Sequence, residues 1–323
     1  MRESISTGWR RPWTRLTAIV ATAACLATLA ACGSGGGTGA ASTPNTDRAA
    51  TGKSLTSLGN GPQDALDGVP LNSSGFLAAC QRLTATYKSF AGHTYVIGVD
   101  PTAQPSDYRD SADPNEILGF NPGVATASMD CLGWKFSFAA FSIDGLIPAL
   151  SSGRADIQWR ALIYSAARAK VVSYIIYFEV PDAVFVKSGT YPSTGTLTVA
   201  CGKSVGVVLG STTAVTLAQL PCGADPLNLK TFATVADLMA ALTAGQINLA
   251  VSSKTTPPAG ISIIYTASSG SLAGLSVAKS SQSTLAPLLA AVQAVQRYGV
   301  QDALNRAYSI SSYVQVPAVV KTS

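Results

Sequence analysis

With 323 residues and hydrophobic side chains at 47%, the chain has the material for one or two packed cores, which excludes an intrinsically disordered class. The formal charge of +5 sits largely at the front, where Arg2, Arg10, Arg11 and Arg15 against Glu3 leave +3 within residues 1–31. The remainder carries about +2, which excludes the basic surface of a nucleic-acid-binding protein.

The N-terminus joins a basic region to an apolar run from Leu16 to Ala31 and then to Cys32, the pattern of a secretory signal over residues 1–31. The run is short for a membrane span. Leu29-Ala30-Ala31-Cys32 resembles a bacterial lipobox, which implies that Cys32 becomes the lipidated first residue of the mature protein. Residues 32–70 are rich in Gly, Ser, Thr, Asn and Asp without periodicity and read as a flexible tether. Such a stretch has a mean reach on the order of 35 Å.

From residue 71 the chain alternates helix and strand patterns, which implies parallel α/β sheets covered on both faces. Gly75–Phe90 reads as a helix with Phe76, Leu77, Cys80, Leu83 and Tyr87 on one face. Thr94–Val99 reads as a buried strand ended by Asp100-Pro101. Val124–Leu132 should be a helix and Trp134–Phe141 a strand. Leu146, Ile147 and Leu150 repeat at helical spacing, with Asp144 as the cap and Ser151-Ser152-Gly153 as the stop. Ala155–Ile163 reads as a strand carrying Trp159 and Arg160, with Asp156 at its start.

Ser165 follows as a helix cap whose hydroxyl can accept a first-turn N–H, and Arg168 then lies three residues inside the helix. A cation there opposes the helix dipole unless an anion joins it, so Arg168 plus the free amides reads as a carboxylate site. An ordinary surface Arg is the plain alternative. Val171–Phe178 is apolar, Glu179-Val180-Pro181 marks a crossing, and Ala183–Lys187 is a further strand. Ser204–Leu220 reads as strand, Gly turn, Ser/Thr cap and helix, so Ser211 and Thr212 gather hydroxyls and free N–H groups at a second helix start. A plain cap is the alternative there too. Thr234–Ala244 is a helix with Val235, Leu238 and Met239 inward, Ile247–Val251 a strand, and Gly270–Gly274 a flexible crossing back. Leu275–Lys279 is a strand, Leu285 to Val295 a strongly amphipathic helix broken by Gly299, and Gln301–Tyr308 a shorter helix.

Cys25 and Cys32 fall in the export signal, leaving Cys80, Cys131, Cys201 and Cys222. An even number in an exported protein implies disulfides, with three possible pairings. There is no CxxC or Cys/His cluster, no P-loop and no GxGxxG after a strand, so neither a metal nor a cofactor is expected. Ser-His-Asp chemistry would need His93, which stands just before the first strand and reads as structural or surface.

The segment Gly145–Asp156, GLIPALSSGRAD, with Arg168 twelve residues after its Asp, resembles the extracellular solute-binding proteins of polar amino-acid (family 3) ABC importers. Gly119-Phe120-Asn121, Gly210-Ser211-Thr212 and the C-terminal run from Lys279 to Tyr308 extend the resemblance over roughly Thr94 to Tyr308. It implies a two-lobed type II periplasmic-binding-protein fold, each lobe a mostly parallel sheet flanked by helices. Lobe 1 would hold residues 71–180 and 275–323 and lobe 2 residues 181–274, joined by two hinge crossings. Cys80–Cys131 and Cys201–Cys222 would then each stay within one lobe.

The resemblance also implies a ligand set. Arg168 and Thr212, with Ser211, would hold a carboxylate, and Leu146 is a pocket residue. Ala161 and Ile163 replace polar strand residues, and Arg160 is an addition that either reaches the cleft or points away. Ala103 and Ser106 stand where the family has aromatics, so Tyr108 is the substitute. Ser253 stands where the family has an Asp that neutralises an ammonium, and a Ser oxygen supplies no charge. The expected function is a lipid-anchored receptor on the outer face of the bacterial membrane, monomeric and not an enzyme. It would pass a small polar or anionic, amino-acid-like solute to an ABC permease, with no nucleic-acid partner. A degenerate or sensory module that engages a partner protein is the alternative. A periplasmic enzyme is a further one, and it would need an acid–base group in the cleft.

Overall fold

A computed structural model of the chain describes residues 50–51, 69–254, 256–267, 271–310 and 313–322. The export signal, Cys32, most of the tether and Gly270 lie outside the described residues.

In chain order, β1 (Ala50–Thr51) precedes α1 (Ser74–Thr86) and β2 (Thr94–Val99). A small antiparallel meander follows, made of β3 (Thr102–Ala103), β4 (Asp107–Arg109) and β5 (Ile117–Leu118). Then come α2 (Phe120–Leu132), β6 (Lys135–Ala140), α3 (Leu146–Ser151), β7 (Ile157–Ile163) and α4 (Ala166–Ala169). β8 (Val172–Val180) and β9 (Asp182–Lys187) are separated only by Pro181. Next are β10 (Ser204–Val208), α5 (Thr212–Ala218), β11 (Asn228–Phe232), α6 (Val235–Thr243), β12 (Leu249–Ser253) and β13 (Ile261–Thr266). The chain closes with β14 (Ser271–Ala278), α7 (Leu285–Arg297), α8 (Val300–Ala307) and β15 (Val314–Lys321).

The strands form a seven-stranded sheet in the order β1-β6-β2-β7-β14-β8-β15 and a five-stranded sheet in the order β11-β10-β12-β9-β13. The α/β fold of helix-flanked sheets expected from the sequence is observed. Each sheet is mixed: β6, β2 and β7 run parallel in the first, and β11, β10 and β12 in the second. The strands beyond those triplets pair antiparallel. Both triplets end at the gap that holds the site, the place where open α/β sheets bind ligands.

α2 is buried on nearly every face because it packs against α1, α7 and α8, and its small residues let those neighbours approach. It begins at Phe120, earlier than the Val124 expected from the sequence. Pro122 does not delay it, since a first-turn residue has no intrahelical N–H bond to lose. In α1, Leu77 is exposed, contrary to the inward face predicted for it, because it follows the buried Phe76 by one position, about 100° round the helix.

Cys80 and Cys131 are bonded, tying α1 to α2, and Cys201 is bonded to Cys222. The cysteines are 51 and 21 positions apart. Closing loops of that size confines the unfolded chain by about 4 and about 3 kcal/mol in chain-entropy terms.

Two further differences have steric causes. β14 starts at Ser271, where the sequence predicts a flexible crossing from Gly270 to Gly274. Gly274 serves close approach: a Cβ there would lie 1.9 Å from the Ile175 carbonyl oxygen, at a bulge between β14 and β8. β15 was not foreseen, because Pro317 interrupts its pattern. Its pairing with β8 shifts register between Gln315 and Val319. The Gln296 side chain on α7 spans the gap, donating to the carbonyls of Tyr177 and Val316 and accepting the Ala318 N–H.

Candidate functional site

The site is assembled from strand ends and two short helices. β7 delivers Trp159 and Arg160 to opposite faces, as strand alternation requires. Trp159 goes into the core, where its Nε1 donates to the Tyr177 hydroxyl at 3.1 Å. Arg160 turns to the gap, with Nε 3.4 Å from Asp100 Oδ2 at the end of β2. Both partners are nearly buried, so removing either one would strand a charge.

Past β7, Ser165 caps α4 as expected, its Oγ accepting the Arg168 N–H at 3.3 Å. The guanidinium is committed to main-chain carbonyls: Nη1 donates to Ile163 O at 2.8 Å and Nη2 donates to Gly210 O. The first acceptor is the last residue of β7 and the second belongs to the loop after β10, so one side chain spans both sheets. Burial pushes the Arg168 pKa down, Arg160 adds to the fall, and the Tyr174 hydroxyl opposes it.

Opposite, Ser211 caps α5 in the same way, with Oγ accepting the Ala214 N–H at 3.3 Å. Gly210, at φ +75°, makes the turn possible. A Cβ there would sit 2.9 Å from the Cβ of Asp144. Asp144 was predicted to cap the following helix; Gly145 holds that position with no side-chain bond, and Asp144 instead abuts Gly210. Inside α5, Thr213 Oγ1 donates to Asp182 Oδ2 at 3.2 Å. Burial raises the Asp182 pKa, and this bond lowers it.

Some of these groups line a cavity of about 30 Å³ whose wall includes Arg168, Arg160, Ala161, Ile163, Ser211, Thr212 and Ser253. It is room for a water or two, not for a solute. Beside it lies a second cavity of about 250 Å³, and the two share Arg160, Ala161, Val235, Ser252 and Ser253 as walls.

Two residues predicted from the sequence line neither cavity. Leu146 is fully buried in the first turn of α3, behind β2, with Cδ2 3.4 Å from where a Cβ on Gly98 would sit. Tyr108 lies on the small meander and packs half-buried against the core of the larger sheet. The aromatic at the larger cavity is Tyr313, from just before β15. Its hydroxyl pairs with Ser106 at 2.8 Å, and its ring stacks on Phe178. Sequence reasoning also missed Asp107, on β4. It is fully buried, with Oδ2 accepting from Asn121 Nδ2 at 2.6 Å. Burial raises its carboxyl to about 8, with Asp100 adding to the rise and Arg160 and Asn121 opposing it. A signal was present: an acidic residue directly after Pro105-Ser106, in the loop already singled out for its missing aromatics.

Residues 95–310 match the model of the bacterial extracellular solute-binding proteins, family 3. The chain belongs to that family. A probable histidine-binding protein from Campylobacter jejuni subsp. jejuni is 25% identical to this solute-binding protein over 140 residues, 42% of this chain and 54% of that one. The chain thus spans about half the length of the curated relative it matches. Among solved structures, an ancestral arginine-binding protein bound to arginine is 28% identical at a TM-score of 0.61, covering 67% of this chain and 97% of that one. A histidine kinase sensor domain with similarity to periplasmic binding proteins is 20% identical at a TM-score of 0.62, covering 69% and 98%. That second likeness is one of fold alone. The family consists of solute-binding proteins, not enzymes, and is extracellular.

Proposed function

We propose that this solute-binding protein is the lipid-anchored receptor of an ABC importer and that it takes a small carboxylate-bearing solute between two lobes. The carrying observation is that Arg168, from the serine-capped turn after β7, and the serine-capped helix start after β10 line one cavity, with the guanidinium reaching from one to the other. In this reading residues 71–180 and 275–323 act as one lobe and 181–274 as the other. Export follows from residues 1–31, anchoring from lipidation at Cys32, and the tether lets a monomeric receptor reach a permease in the same membrane.

The mechanism follows from the hydrogen-bond inventory. Arg168 Nη2 exchanges the Gly210 carbonyl for a carboxylate oxygen, a stronger charge-assisted acceptor. The hydroxyl and N–H of Thr212 then meet the same anion from the opposite helix start. A ligand that touches both sides favours the closed arrangement over the open one, which is how binding drives closure. Ser253 supplies no charge for an ammonium, so ordinary α-amino acids bind weakly.

The committed state of Arg168 favours one second reading, a sensory or degenerate module whose cleft stays shut while another surface engages a partner protein. A thermal-shift screen of carboxylates, amino acids and small polar metabolites separates the two. The receptor reading expects a carboxylate at a hundredfold excess over its Kd to raise the midpoint by about 5 °C or more. No shift from any compound would favour the second reading. Submicromolar binding of an α-amino acid by calorimetry would overturn the weak-ammonium conclusion.

A further inference from the structure

The 250 Å³ cavity lies beside the carboxylate gap, and its wall carries an acidic group that the carboxylate reading leaves unused. That group is Asp107. It is fully buried, and its Oδ2 is taken by Asn121 of α2. Its Oδ1 is buried without a hydrogen-bond partner. An unpaired buried carboxylate oxygen is costly, and a donor brought into the cavity would relieve that cost.

Neighbouring groups of the chain are engaged elsewhere. Arg160 of β7 faces Asp100 at the end of β2. The Tyr177 hydroxyl of β8 accepts from Trp159, and the Tyr313 hydroxyl pairs with Ser106. Lys254, just past β12, lines the same cavity.

Resting on the receptor reading above, we infer that Asp107 Oδ1 accepts an N–H from a cationic nitrogen at the far end of the solute. The solute class is therefore a small acid with a terminal ammonium or guanidinium. Its carboxylate lies at Arg168 and its cation in the larger cavity, and no α-ammonium is required. The two cavities lie side by side with five wall residues in common, so one elongated molecule spans both once Arg168 exchanges the Gly210 carbonyl for its carboxylate.

The consequence for pH has a definite sign. Burial holds the free carboxyl up at about 8, Asp100 adds to the rise, and Arg160 and Asn121 oppose it. A cation at Oδ1 favours the ionised form, so binding below that pH expels a proton to solvent. Affinity for the cationic acid rises with pH toward about 8 and levels off above it.

Calorimetry on the full-length exported protein with 4-guanidinobutyrate and with butyrate tests this. At pH 8.5 the guanidino acid should bind at least about tenfold tighter than butyrate, the difference of one ion pair. At pH 7.5, buffers of different ionisation heat should report a net release of about half a proton or more with 4-guanidinobutyrate and none with butyrate. Asp107→Asn should cut the preference to about threefold or less. If that variant does not fold, the wild-type proton count decides alone. Equal binding of the two acids, or no proton release, overturns this inference and leaves the carboxylate receptor standing. Failure of both acids to bind overturns both.

Discussion

The two sheets bring different chemistry to the gap between them. The seven-stranded sheet and its loops supply the ionisable groups Asp100, Asp107, Arg160 and Arg168. The five-stranded sheet supplies mainly hydroxyls, from Ser211, Thr212, Ser252 and Ser253, with Lys254 at the margin. The same helix-start device appears on both sides, a serine cap at 3.3 Å, yet one helix carries a guanidinium and the other a threonine. Charge in a buried setting is worth more than a neutral hydrogen bond, so the two sides should contribute unequally to affinity.

Arg168→Met is the sharpest way to break that asymmetry. It should weaken carboxylate binding at least about a hundredfold, about 3 kcal/mol, in calorimetry with the tightest-binding acid. A loss under about fivefold would mean the anion sits elsewhere. The second test stays on the charged side. Between the ordinary carboxyl range and about 8, folded Asp107 holds a proton that the unfolded chain has released. Stability should therefore fall as pH rises through that window and flatten above about 8, with Asp182 contributing in the same direction. Asp107→Asn should make the profile flatter by more than about 1 kcal/mol between pH 5 and 9, read by denaturant unfolding. An unchanged profile would refute the buried-acid account. The smallest effect belongs to the hydroxyl side: Thr212→Val should weaken binding about fivefold, about 1 kcal/mol. A loss as large as that of Arg168→Met would erase the contrast.

Much of this was legible because local rules decided it. Ser165 and Ser211 announce helix starts whatever surrounds them, and the Gly210 turn sits in a strand-turn-helix pattern that has few solutions. Residues close in sequence to those starts, from Arg160 to Arg168 and Ser211 to Thr212, line one cavity, a meeting that the family resemblance implies and local spacing does not. The larger cavity was opaque for the opposite reason. Its wall joins Asp107 to Tyr313 and Ile310 from the far end of the chain, and no periodicity links positions so distant. Tyr108 is the aromatic that the loop itself offers, and the fold supplies Tyr313 from elsewhere. β11 was missed because its residues are largely exposed, leaving no apolar stripe to read.

The Gln296 stitch has a consequence for the end of the chain. β8 is almost wholly apolar and has β15 as its cover on one side. Pro317 denies β15 a full ladder, so amide side chains of α7 stand in for missing main-chain bonds, Gln296 with help from Gln293, whose Nε2 donates to Ala318 O at 3.2 Å. Trimming or unpicking the final strand would bare β8 as an open, sticky edge, the kind that recruits other strands into aggregates. Tags and fusions are therefore best kept clear of β15.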